Sequence, residues 1–295
     1  MLNLMGKKWW FFVLSLVIIL PGTISLFLYG LNLGVDFTGG ALLEYKFERS
    51  INKDNLHEKI VKQNIEVSSI ADSGNNTYII KTKPVDGQKI LEVKKELEKD
   101  FGKAEEVRVE NIGPIIGAET TRNAFLAVIV ASFAIIIYLA LSFRKVPKPA
   151  SSLRFGITAV IALLHDVLVL VGVFSLLGHF LKVEVDVLFV TATLTVIGFS
   201  VHDTIVVFDR IRENLPKHLS RRFEEVANIS ITQTLARSLN TSLTVVFVLL
   251  ALLLFGGETI RWFVVALLVG IVSGTYSSIF NATALLVLWE EKLGH

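Results

Sequence analysis

The stretch Val196–Asn214, VIGFSVHDTIVVFDRIREN, decides how this chain is to be read. It begins inside a long apolar run and ends in a cluster of charges, as a helix leaving a lipid bilayer does. Within the run sits a carboxylate, Asp203. A charged side chain at the centre of a membrane helix costs roughly 2.5–3.5 kcal/mol on insertion scales, so it marks a functional site and calls for a partner.

The composition around that stretch points the same way. Of 295 residues, 52% are hydrophobic and 19% charged; a soluble domain averages about 45–50% and about 25%. The net charge of +2 offers no electrostatic case for nucleic acid as a partner. Without cysteine there is no disulfide framework, thiolate nucleophile or Cys-based metal site. No P-loop motif, H-E-x-x-H or G-x-S-x-G occurs, so ATPase, metalloprotease and hydrolase activities lack support. No enzyme activity and no cofactor is expected.

Working outward, six apolar runs are long enough for spans of about 20 residues. They fall near 9–31, 122–143, 156–178, 185–209, 236–256 and 262–289. The first follows Lys7 and Lys8, as a signal peptide core would, and contains Pro21-Gly22. Its apolar residues resume through Tyr29, too long for a usual cleaved core, so an uncleaved anchor is expected. Basic residues set the orientation. Lys7, Lys8, Arg144, Lys145, Lys148, Arg154, Arg210, Arg212, Lys217, Arg221, Arg222 and Lys292 lie on one side, against Lys182 and Arg261 in the short loops opposite. Both termini are therefore expected in the cytoplasm. The polar, basic stretch 210–235 reads as a cytoplasmic loop.

Between the first two spans lies a hydrophilic, exported segment. Ala41–Phe47, Ile65–Ile70, Thr77–Lys81 and Glu106–Glu110 read as strands; Asn52–Gln63 and Asp86–Asp100 read as helices. The expected fold is thus an α-helical polytopic membrane protein with six transmembrane helices and an inserted α+β, ferredoxin-like (βαββαβ) domain. Its divisions are a first span at 1–31, the exported domain at 32–117, and a five-helix bundle with cytoplasmic loops at 118–295.

A partner for Asp203 can be sought by depth. Asp203 lies six residues before the charges that end the fourth span, and Arg237 opens the fifth, antiparallel span from the same side. Opposite charges at matching depth on consecutive helices can meet, lowering the cost each bears alone. Arg237 is followed at helical spacing by Asn240 or Thr241 and then Thr244, a polar stripe expected to face the bundle or a wet cavity. The alternative is that Arg237 snorkels to headgroups and Asp203 makes a packing bond. His165 and Asp166 fall near mid-membrane in the third span, but helix neighbours point about 100° apart and so cannot form one site with parallel side chains; either Asp166 or His165 supports the Asp203 region, or the pair makes a buried structural hydrogen bond between helices. His202, beside Asp203, is equally open between support and structure. Gly270, Gly274, Ser277 or Ser278, and Asn281 form a small-residue stripe read as packing. Gly34, Asp36, Thr38, Gly39 and Gly40 suit a sharp exit from helix to strand. No residue is assigned to metal.

GVDFTGG at 34–40, IGPIIGAE at 112–119, LLHD at 163–166, IGFSVHDTIVVFDRIREN at 197–214, TLARSLNTSLT at 234–244 and GTYSSIF at 274–280 occur in that order. Together they resemble the SecF family, the smaller membrane subunits of the SecD–SecF accessory complex in bacterial protein export. SecF proteins fall within the resistance-nodulation-division superfamily. The resemblance implies a proton-driven machine that pulls preproteins outward after SecA has pushed them into the SecY–SecE–SecG channel. It implies SecD as an obligate partner on a separate chain, in the bilayer of the cytoplasmic (inner) membrane. The family's proton-path carboxylate falls on Asp203 and its fifth-span arginine on Arg237. A scaffold that stabilises SecD and the channel without its own proton path is the alternative. A drug transporter of the same superfamily would need larger exported domains and more spans.

Overall fold

The computed structural model describes residues 3–144, 146–147 and 150–292, with the backbone alone at Glu258. Lys145 and Lys148, counted above toward orientation, lie outside the described residues. The chain resolves into two compact units: residues 33–126, and the rest of the described chain.

Unit 33–126 starts with a short helix α2 (Val35–Thr38), preceded in the chain by α1 (Lys8–Tyr29). There follow β1 (Gly40–Phe47), α3 (Lys53–Val61), β2 (Val67–Gly74), β3 (Thr77–Thr82), α4 (Gly87–Phe101) and β4 (Ala104–Ile112). The sheet order is β2-β3-β1-β4, antiparallel throughout, with Ala41 opposite Thr82 and Gly40 opposite Ile112. This is the split-βαβ arrangement that the order of elements predicts. Both helices begin where the sequence places a short polar cap. Asn52 accepts from Asp54 N at 2.8 Å, and Asp86 occupies the N-cap of α4. Alternation along β1 turns Leu43, Tyr45 and Phe47 toward Leu56 and Ile60 of α3 and Val93 and Leu97 of α4.

The Gly39-Gly40 pair makes the turn into β1. Gly39 has φ +73°, a region side chains rarely adopt, and a Cβ on Gly40 would sit 2.6 Å from the Thr82 carbonyl oxygen. Gly40 too has a positive φ, +144°, so glycine is needed at both positions.

The other unit is helical. Six helices are long and apolar enough to cross a membrane, as expected. They are α1, α5 (Pro114–Ser142), α6 (Ser152–Leu181), α7 (Val187–Asn214), α8 (Phe223–Phe255), and a sixth span built of α9 (Glu258–Tyr276), a π-helical turn at Ser277–Asn281 and α10 (Ala282–Glu291). Pro21-Gly22 lies inside an unbroken α1, where Gly22 packs on Gly172 of α6; a Cβ on either would lie 2.8–2.9 Å from the other's backbone. Small residues here let two backbones approach.

The stretch 210–235 is not the loop expected. α7 runs on to Asn214, and α8 begins at Phe223. Phe223, Val226, Ala227, Ser230, Ile231 and Thr234 recur at helical spacing and are buried. Asn214 Nδ2 ties the two helices by donating to Ser230 Oγ and Gln233 Oε1, both at 2.9 Å. The apolar positions there are too sparse for a hydropathy window yet sufficient to cover one helix face.

Candidate functional site

α7 presents its inward face at Val196, Ile197, Ser200, Asp203, Thr204, Val207 and Phe208, all buried. Asp203 is 2% exposed, and its Oδ2 has no hydrogen-bond partner. The hydroxyls of Ser242 on α8 and Thr275 on α9 face the carboxyl and are themselves joined at 2.6 Å. A buried carboxylate oxygen left without a partner is costly and is uncommon away from working sites.

Arg237 does not reach it. Among the described residues no ion pair joins the two, and Arg237 is exposed on the outer surface of α8, together with Asn240, Thr241 and Thr244. The polar stripe of α8 that faces the bundle is instead Thr234, Ser238 and Ser242. Depth matching could not decide this. Residues 234–244 are polar around most of the helix circumference, so spacing marks two candidate faces and only packing chooses between them. His202 is likewise exposed, about 100° around α7 from Asp203.

A second polar cluster surrounds Asp166 on α6, a residue with no exposure. Its Oδ2 accepts from Ser200 at 2.5 Å and Ser277 at 2.7 Å; Oδ1 accepts from Ser273 at 3.3 Å. His165 Nδ1 lies 2.9 Å from Oδ1, and its Nε2 lies 3.0 Å from Ser15 Oγ on α1 and 3.2 Å from Asn281 Nδ2. The two side chains leave α6 in different directions and still meet in one cluster hydrogen-bonded across helices. Their Cα–Cβ bonds diverge, but the imidazole is long enough to swing its Nδ1 back onto the adjoining carboxylate.

The small-residue stripe of the sixth span does both kinds of work. Gly270 admits Val196, and a Cβ on Gly274 would press to 3.1 Å from Ser200 Cβ. Ser277 and Asn281, read only as packing, instead make the hydrogen bonds to Asp166 and to Ser15. Their signal in the sequence was the coincidence of a polar stripe with LLHD on another span. In the other unit, Gly34 caps α2 and Asp36 lies in its first turn. Among the described residues no group of three or more His, Asp or Glu side chains could hold a metal.

Residues 92–292 match the family described as protein export membrane protein SecD/SecF, C-terminal, and residues 24–51 match the SecD/SecF GG motif. The chain is 48% identical to the protein translocase subunit SecF of Thermobaculum terrenum, across 99% of this chain and 95% of that protein. It is 35% identical to the protein translocase subunit SecDF of Bacillus subtilis, across 97% of this chain and 38% of the longer protein. The crystal structure of SecDF from Thermus thermophilus, a translocon-associated membrane protein, superposes with a TM-score of 0.86 at 34% identity. That match covers 98% of this chain and 39% of the SecDF chain.

Proposed function

The chain belongs to the SecD/SecF family of protein export membrane proteins, and from that premise we propose that it works as a SecF subunit that uses the proton-motive force. With a SecD partner in the cytoplasmic membrane, it assists the late translocation of preproteins delivered by SecA through the SecY–SecE–SecG channel. Both termini lie in the cytoplasm on this reading, following the bias of basic residues.

The observation that carries the proposal is the buried Asp203 carboxyl with an unpartnered oxygen. Among the described residues its Oδ2 has no partner that would balance an ionised form, so the reading assigns it a proton in this conformation. Ionisation follows when α7 and α8 repack enough to admit water or a positive charge; desolvation favours the neutral acid and such a charge favours the anion. Each proton that crosses supplies roughly 2.3 kcal/mol per 100 mV, enough to bias a two-state element. Arg237, exposed on a membrane helix with Asn240, Thr241 and Thr244, would be costly against lipid. Its place on this reading is against the SecD partner, where a membrane carboxylate can meet it.

Replacing Asp203 with Asn keeps the shape and removes the titratable group. Proton-gradient-dependent late translocation in vesicles holding SecD and the channel should fall by about a hundredfold or more, the loss that removing a proton-transferring side chain commonly causes. Undiminished activity ends the proposal. A scaffold without a proton path is favoured by one observation, the absence of an Asp203–Arg237 ion pair among the described residues. Proton flux through the reconstituted pair separates the readings: Arg237→Ala changes it if protons pass here, and leaves it unaltered if the subunit is only a scaffold.

A further inference from the structure

We propose that His165 and Asp166 form a second proton-binding site, held wholly within this chain, in which the proton is taken up at His165 Nε2 and the Asn281 amide turns to receive it. The site rests on its own geometry and not on the role proposed for Asp203.

The donor count around Asp166 comes first. Three serine hydroxyls, from Ser200, Ser273 and Ser277, point at its two oxygens, and His165 Nδ1 is the fourth neighbour at 2.9 Å. A carboxylate surrounded by four donors is an ionised acceptor, and it fixes the proton of a neutral imidazole on Nδ1. That leaves Nε2 as the basic atom. Around it stand the Ser15 hydroxyl at 3.0 Å and the Asn281 NH2 at 3.2 Å, and Asn281 also donates to Ser15 at 2.5 Å. Neutral His165 is thus satisfied on both nitrogens.

The opposite face of Asn281 is not satisfied. Asn281 is 7% exposed, yet its Oδ1 is buried without any hydrogen-bond partner. An amide whose donor side is used twice and whose acceptor side is idle is poised to rotate. Half a turn about its last side-chain bond brings Oδ1 to the place now held by Nδ2, where it accepts from a protonated Nε2 and from the Ser15 hydroxyl. The chemistry balances without a co-reactant. One proton from water adds to Nε2, no other bond breaks, and the charge of the pair changes from minus one to zero. A neutral imidazolium–carboxylate pair is cheaper inside a membrane protein than a lone carboxylate, which supplies the drive for uptake.

Among the described residues no other charged side chain bonds the pair. On α1 no Asp, Glu, Lys, Arg or His follows Lys8. On α7, Asp203 faces Ser242 and Thr275, while His202 is exposed. On the sixth span, Tyr276 donates to the Phe11 carbonyl at 2.7 Å, and Glu290 pairs with Arg154 at 2.7 Å. Arg261 and Glu291 stand near its two ends, the latter bound to Lys8. The π-helical turn Ser277–Asn281 carries both Ser277, on the carboxylate, and Asn281, on the imidazole; such turns recur at working sites because one extra residue redirects side chains.

The test is solid-state nuclear magnetic resonance of the full chain in lipid bilayers with nitrogen-15 histidine and asparagine, His165 and Asn281 being assigned by loss of their signals in His165→Gln and Asn281→Leu. Between about pH 9 and pH 4, the range a histidine can reach, His165 should pass from an Nδ1-protonated neutral ring to a doubly protonated one. The Asn281 amide should change environment with the same midpoint. Asp166→Asn should weaken proton binding by about tenfold or more, the effect of removing an opposite charge at this distance; Asp166→Glu should restore it, and Asp203→Asn should leave it unchanged. A His165 ring that holds one protonation state throughout overturns the proposal without any variant. An Asn281 signal that does not follow His165, or a midpoint indifferent to Asp166→Asn in a protein that unfolds at the wild-type temperature, reduces the cluster to packing. Loss of translocation in Asp203→Asn with an intact His165 titration, or the reverse, shows which of the two sites fails.

Discussion

The two units of this chain are built inside out with respect to one another. In residues 33–126 the interior is apolar and aromatic, with Leu43, Tyr45, Phe47, Leu56, Ile60, Tyr78, Ile80 and Leu97 at its centre. The buried polar side chains there, among the described residues and apart from the tyrosine hydroxyls, are Glu44 and Thr82. The helical unit turns large apolar side chains outward, with Phe27 85% and Phe255 87% exposed, and buries Asp166, Asp203, Asn281 and a series of serines and threonines. Water drives the first arrangement by expelling apolar surface; lipid supplies no such drive between helices, so close backbone contact and hydrogen bonds do the joining. The lesson is that an interior polar group is an exception in one unit and the construction material of the other. Chemistry is therefore to be sought among the hydroxyls of the helices.

That contrast can be broken or sharpened by substitution, beginning with the largest effect. Gly172→Leu forces a side chain into the crossing where Gly22 and Gly172 meet backbone to backbone. Overfilling a packed contact costs typically about 1–3 kcal/mol and here should reach or exceed the top of that range, because no flexible side chain can yield. Thermal unfolding in detergent should show it, while Gly156→Ala, with open space around its Cβ, should leave the midpoint in place. Equal behaviour of the two would mean that the helices are not held by this contact.

Two tyrosines separate satisfied from unsatisfied polarity within the aromatic core. The Tyr78 hydroxyl accepts from Ile51 N at 2.9 Å and donates to Ile51 O at 2.8 Å. Tyr78→Phe strands both backbone groups and should destabilise residues 40–112 by about 1–3 kcal/mol, read as faster amide exchange in the full chain. The Tyr45 hydroxyl is buried without a partner, so Tyr45→Phe should cost nothing. Burial, reinforced by the Glu106 and Glu98 carboxylates, pushes Tyr45 up to about 12. With the folded value raised above the ordinary 10, its contribution is fully present below pH 10 and is lost as pH climbs toward 12. Tyr45→Phe should remove that part of the alkaline decline in amide protection.

The smallest effect is expected at the surface of the same unit. Lys59 bonds Asp100, and that hydrogen bond raises the lysine above its ordinary value. The pair's support holds below the ordinary lysine range and fades as pH rises through it. Lys59→Met should alter amide exchange near Asp100 slightly and leave the core untouched; a core-wide change would contradict the division between exposed pairs and interior packing.

Much of this organisation is legible before any coordinates. Six apolar runs match six long helices, and Asn52, Asp86 and Gly102 mark helix ends by local backbone chemistry alone. Other features are illegible for identifiable reasons. The first turns of α8 were concealed because Phe223, Val226, Ala227 and Ile231 cover one face without raising mean hydropathy. Arg237, expected to open its span, lies well inside α8, which begins at Phe223, and on its exposed face; counting residues along an apolar run gives neither the helix start nor its rotation.

The sequence by itself determined the number of spans, the α/β order of the inserted unit and the presence of carboxylates among apolar residues, because each is written in local periodicity and composition. Only the tertiary structure decided that Asp203 faces Ser242 and Thr275 while Arg237 faces outward, and that Asp166, His165, Ser15, Ser200, Ser277 and Asn281 converge. Those contacts draw on five of the six spans. They depend on the rotation of each helix about its axis, which is set by what the neighbouring helix offers and by no single stretch of residues.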